Sequence, residues 1–236
     1  MGDCLYIVIP AYNEQDNIRR VVEDWYPVVE KAGGESRLLI VDDGSKDDTF
    51  EILTRLAQNR PRLKPVTKAN QGHGATVLYG YRYALRAGAD YVFQTDSDGQ
   101  TLASEFWPFW KRRKQYDMVI GLRNHREDGL SRVIVTKVLK LTVLFCFHVY
   151  VPDANTPFRL MSAESLRANV RKIPKNYNLS NVVLSVLYEK YYRTKYIPIT
   201  FRPRQGGVNS INIRKIAGIG RKAVTDFMKI NQMIRR

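Results

Sequence analysis

Leu5-Tyr6-Ile7-Val8-Ile9-Pro10 is an apolar, β-branched run closed by proline, and the polar stretch Ala11-Tyr12-Asn13-Glu14 comes directly after it. A short run of this kind reads as a buried strand ending in a loop. The pairing recurs: Arg37-Leu38-Leu39-Ile40-Val41 runs into Asp42-Asp43-Gly44-Ser45, and Tyr91-Val92-Phe93-Gln94-Thr95 runs into Asp96-Ser97-Asp98-Gly99-Gln100. Residues 63–67 add one more strand. Helical patterns lie between. Residues 16–32 space Ile18, Val21, Val22, Trp25, Val28 and Val29 at helical intervals despite Pro27, and Gly33-Gly34 ends them. Residues 48–56 and 74–87 predict two further helices. Strands and helices alternating over short connections imply an α/β fold, a Rossmann-like, mostly parallel sheet flanked by helices. Ligands of such sheets sit beyond the carboxyl ends of the strands, where the three polar loops fall.

Past residue 101 the rhythm changes. The pattern predicts a helix over 104–114, a strand over 117–122, a polar loop over 123–129 and a long amphipathic helix over 130–147. Next are a strand over 158–161, helices over 163–171 and 180–192, and a strand over 196–201. A Gly-rich basic loop and a helix over 214–233 close the chain. With no repeat, low-complexity tract or linker, residues 1–236 read as a single domain with a basic, helical second half.

The chain has 236 residues, of which 44% are hydrophobic, a globular rather than a disordered composition. Its net charge of +15 divides into −3 over residues 1–100 and +18 over 101–236. The second half is therefore expected to meet something anionic: nucleic acid, a phosphorylated substrate or an acidic membrane surface. Cys4 and Cys146 are too few for a disulfide scaffold and suit a reducing cytosol. The first residues lack the pattern of a secretory leader. Lys137 and Lys140 interrupt the apolar stretch 133–151, short of the ~20 residues that a bilayer-spanning helix needs.

Two carboxylates flanking one small residue at a strand end, as in Asp96-Ser97-Asp98, can hold one hard cation such as Mg²⁺ or Mn²⁺ and leave positions open for phosphate oxygens. Such an ion neutralises charge on a departing diphosphate. Asp42, at the end of the second strand, can accept hydrogen bonds from a nucleobase or a ribose, with Ser45 able to cap the next segment; an ordinary turn ahead of a helix is the alternative. Tyr12 offers an aromatic face to a base. Asn13 can also cap the first helix. Gly72 and Gly74 supply two-thirds of a dinucleotide fingerprint, but Val77 stands where the third glycine belongs and the loop comes after the wrong strand. These glycines either let backbone approach a diphosphate or sugar, or make a tight turn.

Val8-Ile-Pro-Ala-Tyr-Asn-Glu14, Val41-Asp-Asp-Gly-Ser45, Asn70-Gln-Gly-His-Gly-Ala75, Ala87-Gly-Ala-Asp-Tyr-Val92 and Asp96-Ser-Asp-Gly-Gln100 together resemble family-two inverting glycosyltransferases of the GT-A fold over residues 5–125. Within that family the chain looks most like the polyprenyl-phosphate sugar synthases of the dolichol-phosphate mannose synthase type. The resemblance implies that residues 1–100 bind a UDP- or GDP-sugar through Pro10, Ala11, Tyr12, Glu14, Asp42 and Gly72. It implies that Asp96, Asp98 and Gln100 hold the metal, and that arginines of residues 101–236, the acceptor half, grip donor and acceptor phosphates. Gly121-Leu-Arg123 matches Gly-Ser-Arg, and Arg132 stands where another arginine is expected. Asp153-Ala-Asn-Thr-Pro-Phe-Arg159-Leu-Met161 resembles Asp-x-Thr-Ser-Gly-Phe-Arg-Leu-Met, with Pro157 in place of glycine. Phe201-Arg-Pro-Arg204-Gln-Gly-Gly207-Val-Asn-Ser210 resembles Phe-x-x-Arg-x-x-Gly-x-Ser-Lys, with Asn209-Ser210 in place of Ser-Lys.

A hydroxyl acceptor must lose a proton and needs a positioned base, for which Asp153 is the candidate. A phosphomonoester, with a second pKa of ~6, is already anionic at neutral pH and needs cations instead. Arg123, Arg132 and Arg204 suit bidentate phosphate contacts, which favours a polyprenyl phosphate acceptor. Ile134, Val138, Leu141, Phe145 and Val149 form a stripe beside Lys137 and Lys140, which either lies in an anionic membrane interface or packs into the core. The expected location is peripheral, at the cytoplasmic face of a membrane. Trp107-Pro-Phe-Trp110 belongs to the core or to the acceptor entrance, and Lys111-Arg-Arg-Lys114 reads as a solvated face. His73, His125 and His148 lie on separate segments and make no zinc site. A nucleic-acid partner is not expected, because the three carboxylate-bearing loops would repel phosphate unless a metal intervened.

Overall fold

A computed structural model of the chain describes residues 2–124, 129–174, 177–202, 224, 226–228 and 230–232, with backbone alone for 124 and 129–137. The elements run β1 (Leu5–Ala11), α1 (Ile18–Ala32), β2 (Arg37–Asp42), α2 (Thr49–Gln58), β3 (Leu63–Thr67), α3 (His73–Arg86) and β4 (Tyr91–Gln94). Next come α4 (Phe106–Lys111), β5 (Met118–Asn124), α5 (Gly129–Phe147), β6 (Arg159–Ser162), α6 (Ala163–Val170), α7 (Ser180–Tyr191) and β7 (Thr194–Thr200). Every strand expected from the sequence is present, with ends moved by at most two residues. The helix expected over 104–114 is shorter, a single 3₁₀ turn at Ala103–Glu105 leading into α4. Most of the expected C-terminal helix and the basic loop before it lie outside the described residues.

One seven-stranded sheet takes in both halves of the sequence, in the order β3-β2-β1-β4-β6-β5-β7. β1 pairs in parallel with β2 on one side and with β4 on the other. The chain therefore steps outward from β1 to β3 and then returns to the far side of β1. That reversal opens a crevice between the loops after β1 and β4, the position where open α/β sheets take ligands. β6 runs against both β4 and β5, while β7 is parallel to β5, so six strands share one direction.

Side chains alternate across the strands and fill two cores. Ile7, Ile9, Leu38 and Ile40 pack with Val22, Trp25, Leu53 and Leu56 of α1 and α2. Val8, Leu39 and Val41 pack on the opposite face with Val77, Leu78 and Tyr81 of α3. Beneath β4, Phe93 lies 4.7 Å from the ring of Phe158, 5.0 Å from Phe106 and 5.4 Å from Trp25, an aromatic knot that anchors the strand leading to Asp96. Trp107 and Trp110 pack against this core, with Trp110 stacked on Phe106, so the core reading holds for both. Arg113 is not merely solvated: it pairs with Asp3 at 2.7 Å and lies over the Trp110 ring.

Candidate active site

A cavity of about 660 Å³ opens at the switch between β1 and β4, within the size range of small-molecule sites. Pro10, Ala11, Tyr12, Asn13 and Glu14 line one side, and Asp96, Ser97 and Asp98 another. Asp43, Asn70, Gly72, His73 and Thr76 complete it. Pro10, Ala11, Tyr12, Glu14 and Gly72, all singled out from the sequence, thus meet the Asp96/Asp98 pair in one place.

The loop after β1 is held by the loop after β2. Asn13 N–H donates to Ser45 Oγ at 2.9 Å, Lys46 N–H to Asn13 Oδ1 at 2.9 Å, and Glu14 N–H to Thr49 Oγ1 at 2.8 Å. Asn13 adopts φ 53° and bonds across to this loop; it does not cap α1, which starts at Ile18. Tyr12 remains 42% exposed at the rim, with its ring available to stack.

Asp42 does not line the cavity. Its carboxylate accepts from Thr67 Oγ1 at 2.7 Å and from Ser45, tying β2 to β3 and shaping the turn. Asp43 takes the cavity position. Alternation explains the exchange: Leu38 and Ile40 share the face of Asp42, whereas Val41 faces α3 and carries Asp43 with it. Asp43 is buried and accepts from Gln71 N–H at 3.0 Å, from Gly72 N–H at 2.9 Å and from Lys68 Nζ. Burial pushes its carboxyl up, but the Lys68 ammonium and these donors outweigh burial and hold it below the ordinary aspartate value. A depressed folded-state value stabilises above the unfolded pKa, and the contribution disappears as pH falls through the folded one. Asp43→Asn should therefore flatten the loss of urea resistance expected of the wild-type chain as pH falls below the ordinary aspartate value.

Gly72, at φ 87°, precedes α3, whose amino end bears no side-chain cap and opens at the cavity. A helix amino terminus of this length favours an anion. Gly74 has a different duty: a methyl group there would run into the carbonyl oxygens of Tyr177 and Asn178, and Ser180 Oγ donates to its carbonyl at 3.1 Å. It lets the segment before α7 close against α3. Gly74→Ala is expected to lower stability by about 1–3 kcal/mol by overpacking, read as a drop in thermal midpoint.

His73, which the sequence marked only as no zinc ligand, lines the cavity with Nε2 3.0 Å from Asp96 Oδ1. Its place at the first residue of a helix behind a glycine loop was the available signal. Burial alone would raise Asp96, but the His73 charge and hydrogen bond, with Arg123 and Arg159, hold it below the ordinary value. The same pairing lifts His73 against the burial that lowers it.

Asp98 Oδ1 accepts from Gln100 N–H at 3.1 Å. The Gln100 side chain does not reach the cavity: it is buried, and Nε2 donates to Arg202 C=O at 2.8 Å, clipping the exit of β7 to the Asp-Ser-Asp loop. Asp96 and Asp98 offer hard oxygen donors, and among the described residues no cluster of three acidic, histidine or cysteine side chains could enclose an ion. That donor set fits Mg²⁺ or Mn²⁺ shared with phosphate and water rather than a cage made by protein alone.

Arg123 and Asp153 form a bidentate pair, Nε to Oδ2 and Nη2 to Oδ1 both at 2.7 Å. Its guanidinium lies 5.0 Å from the Phe201 ring centroid. Neither side chain lines the cavity, so Arg123 stands paired beside it. Arg204 and the side chain of Arg132 lie outside the described residues.

Residues 6–170 match the family described as glycosyl transferase family 2. The chain belongs to this family. It is 29% identical over 182 residues to a dolichyl-phosphate β-glucosyltransferase of Trichomonas vaginalis, covering 68% of this chain and 52% of that one. It is 28% identical over 140 residues to an undecaprenyl-phosphate 4-deoxy-4-formamido-L-arabinose transferase of Pectobacterium atrosepticum, covering 58% and 42%. The chain thus spans about half the length of these two relatives. A UDP-N-acetylglucosamine–dolichyl-phosphate N-acetylglucosaminyltransferase of Methanococcus voltae is 25% identical over 216 residues, covering 83% and 84%. The fold is similar to that of glucosyl-3-phosphoglycerate synthase from Mycobacterium tuberculosis, crystallised with Mn²⁺, UDP and glucosyl-3-phosphoglycerate. The TM-score is 0.70 at 19% identity over 98% of this chain and 81% of that one. The GT-A fold expected of the family is the fold of this chain.

Proposed function

We propose that this chain transfers a sugar, with inversion, from a nucleoside diphosphate donor, a UDP- or GDP-sugar, to a polyprenyl phosphate. The observation that carries the acceptor class is that the carboxylates in and beside the cavity are already engaged. Glu14 is buried and accepts from Asn17 Nδ2, Asp43 holds Lys68 and the loop before α3, and Asp153 is bound through both oxygens to Arg123. Asp96 and Asp98 are assigned to the diphosphate end. A hydroxyl would need one of these as base, whereas a phosphate arrives already deprotonated.

In this reading Tyr12 stacks on the base, and Pro10, Ala11 and Glu14 shape its slot. The amino end of α3 receives the diphosphate. A divalent ion, Mg²⁺ or Mn²⁺, held by Asp96 and Asp98 supplies the charge that stabilises the leaving group. The His73 side chain holds Asp96 in orientation, and the Gln100 N–H holds Asp98. Arg123, with Arg132 and Arg204, draws the acceptor phosphate toward the anomeric carbon. An acceptor oxygen bonds to that carbon as its bond to the donor phosphate breaks on the opposite face. Labelled nucleotide-sugars offered with undecaprenyl phosphate and Mn²⁺ should yield label extractable into organic solvent. Label that passes only to water-soluble glycan would support the second reading, a hydroxyl acceptor with Asp153 as base.

The outward face of α5 supports delivery from a membrane. Val143, Cys146 and Phe147 are buried, while Val138, Leu141, Leu144 and Phe145 are exposed, Leu141 and Phe145 by 66% and 70%. Of the stripe expected from the sequence, Val138, Leu141 and Phe145 thus point away from the core, while Val149 packs against it and the Ile134 side chain lies outside the described ones. No helix of the described residues is long and apolar enough to cross a membrane. α5 would instead lie in the plane of an anionic, cytoplasmic-side surface, with Lys140 near the headgroups. Replacing Leu141 and Phe145 together by Glu should weaken sedimentation with phosphatidylglycerol vesicles by about tenfold or more, since burying each side chain would contribute roughly 1.5–3 kcal/mol. UDP affinity should be unchanged.

A further inference from the structure

Arg159 is the largest wholly buried side chain among the described residues. Its guanidinium is satisfied by neutral oxygens of two segments: Nε donates to Thr156 C=O at 3.1 Å, Nη1 to Asn181 C=O at 3.0 Å and to Ser185 Oγ at 3.3 Å, and Nη2 to the Ala154 and Thr156 carbonyls. Ser185 Oγ in turn donates to Ala154 C=O at 2.9 Å. Burying a cation this way is costly, and an apolar side chain of similar volume in a sheet interior is often neutral or better. Stability alone therefore does not account for arginine here.

Its position does. Arg159 stands in β6 opposite Gln94 of β4, two residues before Asp96, and opposite Ile120 of β5, three before Arg123. The Ala154 and Thr156 carbonyls it gathers belong to the turn that contains Asp153, the Asn181 carbonyl to α7, and Asp153 grips Arg123 through both oxygens. We propose that Arg159 is a positioning residue: it folds the 153–156 turn onto the start of α7, so that Asp153 holds the Arg123 guanidinium at the edge of the cavity. Given the reading of Arg123 as a contact to the acceptor phosphate, on which this rests, Arg159 sets acceptor affinity without touching the acceptor. Lysine could not replace it, because one ammonium cannot span carbonyls 154, 156 and 181 as the guanidinium fork does.

The test is Arg159→Lys in the full chain, read by the ¹⁵Nε–H resonance of Arg123 and by affinity for citronellyl phosphate and UDP. The expected result is a retained amide spectrum away from the turn, loss of the slowly exchanging Arg123 Nε–H signal, citronellyl phosphate affinity reduced about tenfold and UDP affinity changed less than about twofold. An unaltered Arg123 signal would overturn the proposal. So would equal losses of both ligands with a collapsed spectrum, which would mark a merely structural role. Arg123→Ala separates the two levels. If it leaves citronellyl phosphate affinity unchanged, the phosphate reading of Arg123 fails, while the Arg159→Lys spectrum still decides whether Arg159 positions it.

Discussion

Asp98→Asn should give a folded protein that turns over about 10²- to 10³-fold more slowly than wild type. The isosteric amide keeps an oxygen for the Gln100 N–H that Asp98 Oδ1 now accepts, so the turn after β4 survives. What it loses is one of the two negative charges that would grip a divalent ion, and several kcal/mol of leaving-group stabilisation depend on that grip. Initial rates with Mn²⁺, alongside circular dichroism, check both halves. Undiminished activity in chelator would remove the metal assignment altogether.

Arg123→Ala should act on stability and on acceptor binding together. The Arg123 and Asp153 side chains are only 13% and 7% exposed, so removing the arginine strands a buried carboxylate. Breaking a buried pair from one side costs about 3–5 kcal/mol, which urea unfolding would register. Asp153→Asn in the same chain removes the stranded charge and should recover much of that loss. It should not recover the affinity for a lipid phosphate, because the cation is still missing. If the double variant regained both, Arg123 would be a structural residue and the acceptor phosphate would be held elsewhere.

How far the molecule is legible in its sequence differs between scaffold and site. The strands are legible because apolar, β-branched runs such as Leu5–Ala11 are buried on both sides, and helical spacing marks α1 and α3. The crevice is legible because three strands end in polar loops. Giving the cavity position to Asp42 rather than Asp43 overlooks β-alternation, which holds the answer: Asp43 goes with Val41 onto the α3 face. Gln100 and Arg123 are hidden for another reason. Their partners, the Arg202 carbonyl and the Asp153 carboxylate, are 102 and 30 residues away, and no local pattern announces such pairing. Whether the α5 stripe points inward or outward depends on what covers each face, which Val143 and Phe147 settle in favour of the opposite side.

A crystal grown with Mn²⁺ and a UDP-sugar, measured for anomalous scattering, bears most directly on the catalytic assignment. The expected map has one peak within about 2.1 Å of oxygens from both Asp96 and Asp98, touching the diphosphate, with the base against Tyr12. A nucleotide bound away from β1 and β4, or a peak that neither aspartate touches, would contradict it.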